Sequence, residues 1–175
     1  MIQIAVGRAR APLSLDWDLA CGHQARAGVP MSDTAKYGRT EREWQERDQA
    51  GWDFLKAKAA GRRGDAAHDP TVSYSDANEE LATRTGQPAF DFGQQAGRAA
   101  IGYLLGRISR NRSWPVSRLL ISALVRYHGE ADAGPGFFNL ARDVGLIHGS
   151  LSNLERLEFW LRHVRQVQAY DWDQA

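Results

Sequence analysis

The sequence predicts a small α+β domain that is mostly helical. Three observations carry this. Two capping boxes, Thr40 with Glu43 and Ser152 with Glu155, each open an amphipathic stretch. Two more helix-length stretches lie between them, at about 76–85 and 95–109. One apolar run, 118–128, is rich in Leu, Ile and Val and bounded by turn residues, which reads as a buried strand, with a helix as the competing reading of such a run. The 175 residues are enough to bury one core without staples.

Residues 1–30 mix Ala, Gly, Arg and Pro after a short apolar start. They show no amphipathic period and no secretory pattern, and read as an N-terminal extension or a start placed too early, since Met31 offers a second start. The domain then runs over 31–175. Behind Thr40 comes a helix with Trp44, Trp52, Leu55 and Ala59 on its inner face and Glu46, Arg47, Asp53 and Lys56 mostly outside; it stops before Gly61. A polar linker, 61–70, ends at Pro70. Ser75 is a candidate N-cap for the next helix, and Gly86 its C-terminal stop. Phe90 and Phe92 anchor a connector. The helix at 95–109 buries Ala96, Ala100, Ile101, Leu104, Leu105 and Ile108. Residues 109–115 read as a turn ended by Pro115. After the apolar run comes a turn-rich loop at 129–136, then a short helix at 137–144 stopped by Gly145. The last helix repeats Leu154, Leu157, Leu161, Val164 and Val167 at spacings of three and four, and Leu157, Leu161 and Val164 are expected to be buried.

Helix, connector, helix, strand and turn-rich loop is the order of a helix-turn-helix with a wing. The expected architecture is a winged-helix-like core at about 72–136, with added N-terminal and C-terminal helices.

The formal net charge is only +1, but the charges are unevenly placed. Residues 92–128 hold Arg98, Arg107, Arg110, Arg112, Arg118 and Arg126 and no Asp or Glu. Such a segment predicts a local positive field suited to phosphate. No run of 18 apolar residues occurs, which argues against a membrane partner and for the cytoplasm. The lone cysteine, Cys21, has no disulfide partner in these residues. The five histidines show no zinc-ligand spacing, and no motif calls for a cofactor.

Two short motifs resemble a known family. Ser73, Tyr74, Ser75 and Asp76 open a short helix carrying Leu81, Ala82 and Gly86. Gly97, Arg98, Ala99, Ala100, Ile101 and Gly102 form the second motif, and Trp114 with Pro115 precedes Leu119, Leu120 and Ile121. Together they are similar to the DNA-binding part of O6-alkylguanine-DNA alkyltransferases and alkyltransferase-like proteins. The resemblance implies that Tyr74 and Arg98 contact DNA around a flipped nucleotide. The stretch matching the family's reactive Pro-Cys-His-Arg reads Ser122, Ala123, Leu124, Val125, so alkyl transfer is not implied.

The resulting expectation is a non-catalytic DNA-binding protein, with sensing of modified or damaged bases as the sharper form. Its contacts would be Tyr74, Arg98, Arg107, Arg110, Arg112 and Arg118. One alternative is a protein-interaction subunit, as in a bacterial defence or toxin–antitoxin system, whose 95–128 surface meets an acidic partner. Another is a small metal-dependent hydrolase using His128, Glu130 and Asp132.

Overall fold

The structure, a computed structural model, describes residues 36–61, 69–127 and 132–174. The extension at 1–30 and most of the 61–70 linker lie outside these residues, as do His128 and Glu130. The order is α1 (Glu41–Ala60), β1 (Val72–Ser73), α2 (Tyr74–Thr85), α3 (Gln95–Ile108), a π-helical turn (Ser109–Ser113), α4 (Trp114–Ser117), a 3-10 turn (Ile121–Leu124), β2 (Val125–Arg126), α5 (Pro135–Asp143), α6 (Asn153–Ala169) and a last 3-10 turn (Trp172–Gln174). The domain is thus α+β and mostly helical. Among the described residues, no helix is long and apolar enough to cross a membrane.

Helix α1 is the hub. It packs on α2, α3, α6 and both 3-10 turns. Its start is fixed locally: Glu43 N–H donates to Thr40 Oγ1 (3.3 Å), and Thr40 N–H donates to Glu43 Oε2 (2.7 Å). Trp44, Trp52, Leu55 and Ala59 are buried as the pattern requires. Arg47 is buried too, contrary to expectation. Its guanidinium lies over the Phe90 ring, 4.4 Å from the centroid, and donates to Gln87 Oε1 (2.7 Å) and the Pro88 carbonyl (2.5 Å). Burial first, and Arg39 second, lower its pKa to about 10. Asn78 clamps the same connector, donating to the Phe90 carbonyl and accepting from the Phe90 N–H, both at 2.8 Å.

Helix α2 begins one residue after Ser73, not after Ser75: the Ser73 hydroxyl accepts from Asp76 N–H (3.0 Å). Gly86 ends it in the left-handed conformation, φ 66°. On α3 the expected face is buried except for Ala96, which is exposed.

The stretch expected to be a turn at 109–115 continues as helix through the π-helical turn into α4. The apolar run is a second correction. It is buried, with Leu120, Ile121, Ala123, Leu124 and Val125 fully enclosed, but only its last part is strand. Side chains take up its backbone polar groups in place of a neighbouring strand. Ser122 N–H donates to Ser109 Oγ and Ile121 N–H to Ser113 Oγ, both at 3.2 Å. The Ser113 hydroxyl donates to the Leu119 carbonyl (2.8 Å), and Leu119 N–H donates to Ser117 Oγ (3.1 Å). From α6, His163 Nε2 accepts the Leu120 N–H (2.9 Å), and Trp160 Nε1 donates to the Ala123 carbonyl (2.8 Å). Each group would otherwise be an uncompensated buried dipole.

The strand that does form, β2, pairs in parallel with β1, Val72 opposite Val125 and Ser73 opposite Arg126. Beyond it, a single antiparallel bridge joins Arg126 to Ala133. Among the described residues, this bridge is the only strand pairing where a wing was expected.

Helix α6 starts at its capping box as expected. Its buried row is Trp160, His163, Val164 and Val167. The pattern places Leu157 and Leu161 in the core; instead Leu157 is half-buried and Leu161 is 41% exposed, beside Leu154 at 65%. The apolar stripe is wider than the surface the domain covers, and the large Trp160 and His163 rings take its centre.

Two outcomes are expected. Ser109→Ala and Ser113→Ala each leave a buried N–H without an acceptor, and each should lower the unfolding free energy by about 1–3 kcal/mol in urea titrations. His163 gives a pH dependence. Burial first, and Arg162 second, push its pKa down to about 4. Protonation therefore favours the unfolded chain. Stability is complete above the ordinary histidine value near 6.5 and falls as pH drops toward 4, by about 3 kcal/mol in all. Urea midpoints at pH 7 and pH 4.5 should show this fall in the native protein, and His163→Gln should lack that component.

Candidate nucleic-acid interface

The six arginines of the acid-free segment can now be placed. Four are neutralised by carboxylates from distant elements. Arg107 holds Glu41 through both terminal nitrogens (3.1 and 2.6 Å), and its Nε lies 3.3 Å from Asp48. The Glu41 contacts, more than any other cause, raise the Arg107 pKa and lower that of Glu41. Arg112 pairs with the other oxygen of Asp48. Arg110 pairs with Asp143 at the end of α5. Arg126 donates to Thr71 Oγ1 (2.7 Å) and lies 3.4 Å from Asp69. The positive field expected from the segment is therefore largely cancelled within the fold.

Asp48 is the central acid of this network. Its side chain is 5% exposed and faces two guanidinium groups. It belongs to the α1 face that the sequence marks only as helical, and no local pattern shows its role.

Among the described residues, Arg98 and Arg118 form no ion pair. Arg98 lies in the first turn of α3. That turn holds no acidic residue, and Gln94 at its N-cap makes no side-chain capping bond. Gly97 lets the turn sit against the connector: a Cβ there would lie 2.0 Å from the Asp91 carbonyl oxygen. The Arg98 guanidinium reaches back to the Phe92 carbonyl (2.7 Å). Asp91 is the nearby carboxylate, and it accepts from Gly93 N–H and Gln94 Nε2. Helix dipole and guanidinium thus share one partly exposed corner.

Arg118 ends α4 with φ 58°, a left-handed conformation uncommon for a residue with a side chain. It is exposed, and its guanidinium lies 5.4 Å from the centre of the Trp114 ring. Val116, two residues earlier, is 49% exposed.

Tyr74 sits differently from what the resemblance implies. Its ring stands 5.2 Å from that of Tyr127, and its hydroxyl packs so close to Gly134 that a Cβ there would lie 2.7 Å away. Burial raises its pKa above the ordinary tyrosine value. The side chain braces β2 against the start of α5 and does not project from the surface.

Asp132 is the only member of the possible metal set inside the described residues, and among these no group of three His, Cys, Asp or Glu is placed to hold a metal ion. A cleft of about 610 Å³ lies between α1 and the β1–α2 corner, lined by Lys58 and Arg126 on one hand and Asp76 and Glu80 on the other. Its mixed charges mark no single ligand. No family model, curated protein or solved structure matches this chain.

Removing Asp48 should leave two cations facing each other. Asp48→Asn is expected to cost about 1–3 kcal/mol, because Arg107 and Arg112 keep some access to water. The double variant Asp48→Asn with Arg112→Gln should recover part of that loss in the same urea titration.

Proposed function

We propose that this chain is a non-catalytic DNA-binding protein that engages backbone phosphate through the amino end of α3 and the turn at Arg118. The observation that carries the reading is the selective freedom of two guanidinium groups. In a segment whose other four arginines pair with carboxylates of this chain, Arg98 and Arg118 keep their charge for an outside anion. Arg98 also adds to the positive end of a helix that lacks a side-chain cap.

Sensing of a modified base rests on the resemblance around Tyr74 and Arg98. With the Tyr74 ring turned inward, that role falls to Arg98 alone.

Fluorescence anisotropy on plain and base-modified short duplexes, at low and moderate salt, tests the proposal. Arg98→Ala and Arg118→Ala should each weaken binding and flatten the log–log salt slope by about one unit, the signature of one lost phosphate contact. Arg110→Ala, which breaks the surface ion pair with Asp143, should leave the slope unchanged. If Arg98 fills the place of a flipped base, its loss also erases any preference for the modified duplex. A native protein that binds neither duplex at low salt rules the DNA reading out.

A further inference from the structure

The outer edge of α6 carries an apolar row that the domain leaves open. Leu154 and Leu161 are seven residues apart, two turns, and so lie within about 20° of each other on the helix surface. Glu158 and Arg165, also seven apart, form the adjoining row. Among the described residues neither makes an ion pair, and both are exposed.

We propose that a second copy of this chain docks on this face, the two α6 helices running antiparallel and crossing at Leu161. The argument is charge complementarity under a twofold axis. Glu158 stands three residues before Leu161 and Arg165 four residues after it, about 4.5 Å and 6 Å along the axis. Reversing the second helix about Leu161 brings Glu158 level with Arg165 of the other copy to within about 1.5 Å. The axis keeps both rows on the same edge of the contact, so the pair forms twice. Leu161 packs on its own copy at the centre, and Leu154 meets the aliphatic stem of Gln168. A parallel arrangement, whose twofold runs along the helices, would send the two rows to opposite edges of the contact and leave Glu158 and Arg165 without a partner in the other copy. An acidic helix from another protein would meet Glu158 as a like charge. The isologous antiparallel pair satisfies both charges and covers both leucines.

A single helix pair lies at the small end of specific interfaces, so the dimer is weak and concentration-dependent. The inference does not depend on the DNA reading. Sedimentation velocity on the full chain, at low salt from about 1 μM to about 200 μM, spans the range where such a contact is seen. The native protein should shift from monomer to dimer across it. Leu161→Glu should stay monomeric throughout; the side chain is part-exposed, and an unchanged thermal melt checks that the fold is intact. Glu158→Arg alone and Arg165→Glu alone should each weaken the dimer at least tenfold, because each creates two like-charge contacts. The double exchange, Glu158→Arg with Arg165→Glu, should restore it. A native protein monomeric at the highest concentration, a dimer that survives Leu161→Glu, or a double exchange no tighter than the single variants overturns the proposal.

Discussion

The buried segment from Leu120 to Val125 imposes the constraint on which the rest of the domain depends. Its side chains are apolar enough to sit at the centre, but its backbone carries dipoles that must find partners there. A neighbouring strand would solve this, and only Val125 and Arg126 obtain one. The remainder is held by three serines spaced four apart on the preceding helical arm and by His163 and Trp160 from α6. The geometry of the arm, the register of α6 and the neutral state of His163 follow from that one requirement. A charged imidazole has no lone pair at Nε2 and cannot accept the Leu120 N–H.

A second principle governs the surface. The arginine-rich segment looks uniformly cationic along the chain, yet its partners arrive from far away in sequence: Asp143 lies 33 residues from Arg110, Asp48 64 from Arg112, and Glu41 66 from Arg107. Folding pairs most of this one-sign tract with the chain's own carboxylates: Arg107 and Arg112 with α1, Arg110 with α5 and Arg126 with Asp69. What stays open to an external anion is set by which arginines lack such a partner, not by how many there are.

Features fixed by near neighbours were legible in the sequence. Both capping boxes, the left-handed stop at Gly86 and the inner face of α1 depend on residues at most a few turns apart, and the structure has them. Features fixed by tertiary competition were not. The 118–128 run shows burial through its composition, but composition does not say which groups will satisfy its backbone. The regular Ser109, Ser113, Ser117 spacing was the one available hint. Arg47 was assigned to the outside because a helical wheel cannot anticipate the Phe90 ring and the Pro88 carbonyl. Leu161 was assigned to the core because the wheel shows an apolar stripe, not how much of it the domain can cover. At the candidate interface, Arg98 was named from the sequence and remains accessible, whereas Tyr74, named on the same grounds, is taken up by packing with Tyr127.

The two side chains that α6 lends to the central segment bear on how the protein is made. Leu120 meets His163 across 43 residues, and Ala123 meets Trp160 across 37. Such distant closures slow folding, since loop entropy is spent before the contact returns anything. On the ribosome the order is stricter still. α1, α2 and α3 can emerge and pair early, but the centre stays open until residue 163 has been synthesised. Until then the nascent domain exposes its most apolar stretch to water, a state suited to chaperone capture.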